Sequence, residues 1–238
     1  MPTRYLLLCA CVLALSFMWS VPAEARIDPD SIVGIWLFDD DKGGKALDSS
    51  GNELHGQING NPAEVEGKFG SALEFTGGGD TVELVRFGLD FPTDIVTIVT
   101  WAKVKEVKGQ DLCSTVPLDP DRIVFHLNER GDGVSWALGR APFSVAADFD
   151  EAWVDQWKHW AMFTRFSENR DDKISGIYLD GEEHRIFGKL AGQWVPRDAG
   201  FHIGGRPGSS FGGVMDEFAI IDTVLSQSQI DTVAVGTG

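Results

Sequence analysis

The chain has 238 residues, with 36 Asp and Glu against 20 Lys and Arg, for a formal net charge of −16. So acidic a surface repels phosphate backbones, which excludes nucleic acid as a partner and fits solubility or cation binding. Hydrophobic residues make up 43% of the chain, enough for a sizeable core.

Arg4 precedes an apolar run from Tyr5 to Val21, and Ala23-Glu24-Ala25 supplies an A-x-A cleavage site before Arg26. This order predicts a secretory signal over 1–25, because the run is short and wrongly flanked for a membrane span. Leu8-Cys9-Ala10-Cys11 also resembles a lipobox, but that reading leaves almost no apolar stretch before the modified cysteine. The expectation is a domain over 26–238 that is secreted, periplasmic or at the cell surface, with no membrane insertion after signal cleavage. Removing Cys9 and Cys11 leaves Cys113 alone, so no internal disulfide and no cysteine-based zinc site can form. Burial is the expected fate of that thiol, with intermolecular pairing the alternative.

Short apolar runs punctuated by Gly, Asp, Asn and Pro predict an all-β sandwich. Strands are expected near 32–38, 56–59, 71–76, 81–85, 95–104, 122–127, 133–138, 143–148, 158–166, 173–179, 183–188, 200–204 and 212–221. Residues 95–104 are apolar on both faces and should form a central strand. Gly77-Gly78-Gly79 allows a tight turn before Asp80, and 105–121 reads as the longest irregular loop. Asn169-Arg170-Asp171-Asp172 reads as a polar tip, and Asp180-Gly181 as a type I′ hairpin turn. Ser226-Gln227-Ser228-Gln229 matches a capping box, which predicts one short helix over Leu225 and Ile230.

The strand 212–221 carries Asp216-Glu217 in an apolar run. Period-two alternation puts Asp216 on a face with Val214, Phe218 and Ile220, and Glu217 with Met215, Ala219 and Ile221. An unpaired buried carboxylate costs about several kcal/mol, so this pair calls for a cation or several N–H donors.

The order of segments resembles the laminin-G-like, concanavalin A-like jelly-roll family. Ile35-Trp36-Leu37-Phe38-Asp39, Asp48-Ser49-Ser50-Gly51-Asn52 and His55-Gly56 resemble its opening. Gly67-Lys68-Phe69-Gly70 through Phe75, then Asp80 to Leu84, look like its next block. Trp157-Lys158-His159-Trp160-Ala161, Ile177 to Gly181, Ile203-Gly204-Gly205-Arg206 and Met215-Asp216-Glu217-Phe218 with Leu225-Ser226 are similar to its later ones. The resemblance spans essentially the whole mature chain. It implies two curved antiparallel sheets, with the terminal strands adjacent and Asp39 beside Asp216 at a structural calcium (Ca2+) site. Carried over by position, the oxygen donors are Asp39, Asp216, Asp80, Asp48 and Asn52, completed by carbonyls and waters. Asp48 and Asn52 have a second reading as turn caps.

Catalytic motifs fail on their context. Gly208-Ser209-Ser210-Phe211-Gly212 matches G-x-S-x-G, but strand sequence follows and no histidine comes after His202. Asp39, Asp41 and Gly44 match the start of an EF-hand loop, yet Ser50 stands where an acid is required. Asp148-Phe149-Asp150-Glu151 is the one segment resembling a glycosidase carboxylate pair, and it reads instead as a loop. The five histidines show no metal spacing. A non-enzymatic recognition domain for a glycan or glycoprotein follows, with Trp153, Trp194 and Phe211 as loop platforms for a sugar ring. The alternatives are a protein-binding adhesion module, to which Cys113 could add a cross-link, and a polysaccharide hydrolase or lyase using Asp148 or Asp150.

Overall fold

Alternating apolar residues form strands that pair antiparallel throughout the described residues. The computed structural model describes residues 25–40, 43–84, 95–116, 123–127, 133–138, 141–145, 149–165, 174–188 and 200–235. In chain order the strands are β1 (Ile32–Trp36), β2 (Lys45–Ala46), β3 (Gly56–Asn59), β4 (Ala63–Glu66), β5 (Ser71–Thr76) and β6 (Thr81–Leu84). Next come β7 (Ile95–Val104), β8 (Gln110–Val116), β9 (Ile123–Leu127), β10 (Val134–Leu138), β11 (Ala141–Val145) and β12 (Trp157–Arg165). The last are β13 (Ile174–Leu179), β14 (Glu182–Gly188), β15 (Gly200–Ile203), β16 (Gly205–Arg206), β17 (Ser209–Ser210) and β18 (Gly212–Ile221), followed by the helix α1 (Gln227–Val235).

Two eight-stranded sheets face each other. The first runs β14-β13-β12-β7-β18-β5-β4, with β1 also on β18; the second runs β11-β10-β9-β8-β15-β6-β3-β2. The pairing of β1 with β18 brings the terminal strands together as expected, and β7 lies at the centre of its sheet. Between the sheets lies a core in which Trp36, Trp136, Trp160, Phe75, Phe125, Phe201, Phe211 and Phe218 are fully buried. Each such side chain contributes about 1.5–3 kcal/mol through area removed from water.

A smaller cluster sits on the outer face of the first sheet, where Leu225 and, from α1, Ile230 pack against Val99, Ala161, Phe163 and Tyr178. The capping box forms: Ser226 N–H donates to Gln229 Oε1 at 2.8 Å, and Gln229 N–H returns to Ser226 Oγ at 3.4 Å. Asp180 and Gly181 take φ of 52° and 84°, as a type I′ turn requires. No helix among the described residues is long and apolar enough to cross a membrane.

Three expectations are corrected. The irregular loop placed at 105–121 holds β8, an interior strand of the second sheet. A register shift between Asp111 and Cys113 puts consecutive Leu112 and Cys113 into the core, which hides the period-two pattern. Phe211, expected as an exposed platform, is completely buried and meets Phe75 edge-on at 5.9 Å. The third concerns β18: its register against β7 shifts between Asp216 and Ala219, with Glu217 at φ 53°. Met215 faces the core before this bulge, and Phe218 and Ile220 face it afterwards. Asp216 therefore does not share a face with Phe218 and Ile220. One extra residue reverses the alternation.

Cys113 is fully buried, and burial together with Asp111 pushes its thiol pKa well up. A thiol reagent is therefore expected to leave the native chain unmodified and to label it fully once unfolded, as mass spectrometry would read. That burial removes Cys113 as a cross-linking group in the folded state.

Candidate functional site

The bulge in β18 delivers Asp216 to the turn between β4 and β5. Asp216 Oδ2 accepts the backbone N–H groups of Lys68 at 2.8 Å and Phe69 at 3.0 Å. Asp39 comes to the same turn, its Oδ1 accepting the Ser71 N–H at 2.7 Å. The glycines of Gly67-Lys68-Phe69-Gly70 are required by this approach. A Cβ at Gly67 would lie 2.6 Å from Asp216 Oδ2, and one at Gly70 would lie 2.1 Å from Asp39 Oδ1. Asp216 Oδ1 is buried with no hydrogen-bond partner.

Carboxylates crowd this corner. Burial drives the Asp216 pKa up to about 6, with Asp39 adding to the rise, against the N–H groups of Phe69, Lys68 and Glu217. Burial likewise pushes Glu217 to about 7, reinforced by Asp216 and then Asp39. Glu217 is the member of the cluster that its position in the sequence did not single out as a donor. Its doublet with Asp216 was the available signal.

The orphaned Asp216 Oδ1 and the mutual repulsion are what a hard cation would relieve. Among the described residues no group of three or more His, Cys, Asp or Glu side chains converges to hold a metal ion. Calcium bound by Asp39 and Asp216 would therefore need backbone carbonyls and water for the rest of its six to eight oxygens. Trp101, opposite Asp216 in register, carries the Lys68 ammonium 4.5 Å from its ring centroid.

The other carried-over donors lie elsewhere and are filled by the protein itself. Asp48 accepts N–H groups from Ile35, Ser50 and Leu54 and the Ser50 hydroxyl, at 2.8–3.0 Å. Asn52 donates its amide to the carbonyls of Ile32 and Val33. Asp80 accepts from Asn61 N–H at 2.9 Å and from the Thr76 N–H and hydroxyl at 2.8 and 2.6 Å. Burial alone would raise the Asp80 pKa, but these bonds more than offset it and hold the group below the ordinary value. Trp153 is half-buried, tilted against Trp160 at 5.5 Å, with the Lys158 ammonium 5.6 Å from its ring centroid. Trp194, Asp148 and the tip at 169–172 lie outside the described residues. Asp150 is spent capping a 3₁₀ turn through Ala152 N–H.

A second polar assembly stands on the outer face of the second sheet. Asp111 is completely buried. It contacts His126 Nδ1, accepts the Ser209 hydroxyl at 3.0 Å, and has Arg206 Nε 2.7 Å from its other oxygen. That Arg206 contact is an ion pair out of line for a hydrogen bond. The serine, histidine and aspartate do not form a hydrolase triad. Ser209 Oγ lies 3.4 Å from Nδ1, the nitrogen that already meets Asp111. A general base needs one ring nitrogen for the carboxylate and the other for the serine.

Through Arg206 and Ser209 this buried group ties the β16–β17 hairpin down onto β8. Beside the hairpin the outer face carries Gln57, Glu83, His202 and Ser114 as register neighbours across β3, β6, β15 and β8. Asn59 donates to Glu83 at 3.1 Å. An open cleft of 620 Å³ lies at this end, between the β5–β6 turn, the β7–β8 turn and the hairpin.

A profile of the Concanavalin A-like lectin/glucanases superfamily matches residues 76–231. The chain belongs to this superfamily. No curated protein matches it significantly by sequence. Among solved structures it is similar to domain 4 of AbnA, a GH43 extracellular arabinanase from Geobacillus stearothermophilus in complex with arabinotriose. That likeness has a TM-score of 0.66 at 21% identity, over 86% of this chain and 98% of that one. It is also similar to the binding domain of Paraclostridial Mosquitocidal Protein 1, with a TM-score of 0.64 at 14% identity, over 87% of this chain and 52% of that one. A mutant of Trypanosoma rangeli sialidase displaying trans-sialidase activity gives a TM-score of 0.67 at 16% identity, over 89% and 34%. The chain thus spans about half of that binding domain and a third of the sialidase. At these identities the likeness establishes the shared sandwich.

Proposed function

We propose that this superfamily member is an exported, non-catalytic domain that binds carbohydrate on the outer face of its second sheet. In this reading a structural calcium ion at Asp39 and Asp216 steadies the opposite sheet. The observation that carries it is the row Gln57, Glu83 and His202 beside an open cleft. An amide, a carboxylate and an imidazole in fixed register supply both donors and acceptors for sugar hydroxyls. The arabinotriose bound to the arabinanase domain is consistent with that ligand class. The groups that could act as catalysts are otherwise engaged. Ser209 meets the wrong ring nitrogen, Asp150 caps a turn, and Asp216 lies under the 67–70 turn on the other sheet.

A glycan array probed with calcium and again with chelator tests this reading. Binding to a defined set of glycans is expected, weaker where chelator loosens the fold. A chain that binds no glycan in either condition, or that depolymerises a polysaccharide, overturns it.

A further inference from the structure

The cleft beside the polar row differs in composition from the rest of the molecule. Its described lining is Gly77 to Gly79, Thr81, Lys108, Gly109, His202 and the hairpin residues Pro207 to Ser210. Among these described residues there is no Asp or Glu, although the chain carries 36 of them. Its turns are rich in glycine, so a ligand can reach the backbone with no side chain in the way. Lys108 Nζ lies across the opening, 3.0 Å from the position a Cβ would take at Gly77 and 3.5 Å from that at Gly212.

We propose that this cleft takes a saccharide unit bearing one anionic substituent, a carboxylate or a sulfate, with Lys108 as its counter-ion. The inference rests on the carbohydrate reading and gives it a ligand class and an address. The volume of 620 Å³ suits one or two sugar rings. Ser210 and Thr81 bring hydroxyls, and the His202 ring forms part of the lining. Burial depresses the His202 pKa, against Glu83 and the Gly205 backbone, which favours a neutral ring suited to a sugar hydroxyl.

Lys108 now pairs with Glu106 at 2.5 Å, and Glu106 is 59% exposed. An exposed pair of this kind contributes little, so a ligand anion can displace it. The net charge of −16 makes the site selective. A single charge within the cleft feels Lys108 at short range, while a long polyanion meets the repulsion of the whole surface.

The test uses the methyl glycosides of galacturonate, glucuronate and sialate, each against its own methyl ester, with galactose 6-sulfate against galactose, titrated by NMR. At least one acid or the sulfate should bind about tenfold more tightly than its neutral counterpart, and which one does identifies the substituent. Lys108→Ala should abolish the preference and Lys108→Glu should reverse it, with Lys103→Ala on the other sheet as the unaffected control. Equal binding of every charged and neutral pair, or a preference that survives Lys108→Ala, overturns the proposal. If neutral glycans bind on the array while no charge preference exists, the ligand class fails and the carbohydrate reading stands. If neither assay detects a sugar, both fall.

Discussion

Replacing Asp111 by alanine is expected to cost about 3–5 kcal/mol, because it removes the one partner shared by several polar groups. Asp111 is completely buried and holds the Arg206 guanidinium, the His126 ring and the Ser209 hydroxyl together. Without it the arginine, whose side chain is 28% exposed, keeps its charge and loses the carboxylate that balances it. For a chain of this size the loss corresponds to a fall in melting temperature of about 10 °C. Arg206→Ala should cost a similar amount by stranding the Asp111 charge. The double variant should cost clearly less than the two single losses added, since each removal already breaks the same pair. Ser209→Ala should cost about 1 kcal/mol, the worth of one hydrogen bond. A loss below about 1 kcal/mol for Asp111→Ala, by denaturant unfolding, would mean that the pair is solvated and does not anchor the hairpin. Because the hairpin walls the cleft, Asp111→Ala should also weaken glycan binding.

This assembly was not legible in the sequence, and the reason is physical. Ser209 and Asp111 are 98 positions apart, and His126 is 15 from Asp111. Only sheet register brings them together. The strand bearing Asp111 reads as loop because its bulge sends adjacent Leu112 and Cys113 inward, while hairpin residues bury its polar face. The bulge at Glu217 gave no warning either, since a glycine is the usual sign of positive φ and none stands there. By contrast β7, the Asp180-Gly181 turn and the Ser226 cap were readable, because local chemistry alone fixes them. Phe211 misled because Gly and Ser flank it. The covering partner, Phe75, lies on a strand far away in the chain. Asp39 and Asp216 were approached from opposite ends of the sequence, and pairing of β1 with β18 carries both to the 67–71 turn.

That corner should make stability depend on pH and calcium together. In the folded chain Asp216 titrates near 6 and Glu217 near 7, above the ordinary values of 3.8 and 4.5. A carboxylate whose pKa rises on folding binds its proton more tightly in the native state, so its contribution is lost as pH climbs through the raised value. Between pH 4 and 7 these groups therefore destabilise the fold increasingly, and above about pH 7 the whole penalty is present. His159 works the other way: burial lowers its pKa to about 4, so its neutral form stabilises the fold above pH 6.5 and that share is lost in acid. The wild-type profile mixes both trends, and a difference between variants isolates the carboxylates.

Asp216→Asn retains an oxygen for the Lys68 and Phe69 N–H groups and removes the charge. Without calcium it should melt at about the wild-type temperature at pH 5 and several degrees higher at pH 8. Calcium binds the ionised form, so it should raise the wild-type melting temperature strongly at pH 8, weakly at pH 5, and hardly at all in Asp216→Asn. Asp39→Asn should halve the response or more, whereas Asp48→Asn should leave it, because the Asp48 carboxylate is already filled by Ile35, Ser50 and Leu54. A calcium shift equal at pH 5 and pH 8, or one that persists in Asp216→Asn, would place the ion elsewhere. Failure of millimolar calcium to move the wild type at pH 8 would leave the raised carboxylates as stored repulsion with no cation to relieve it.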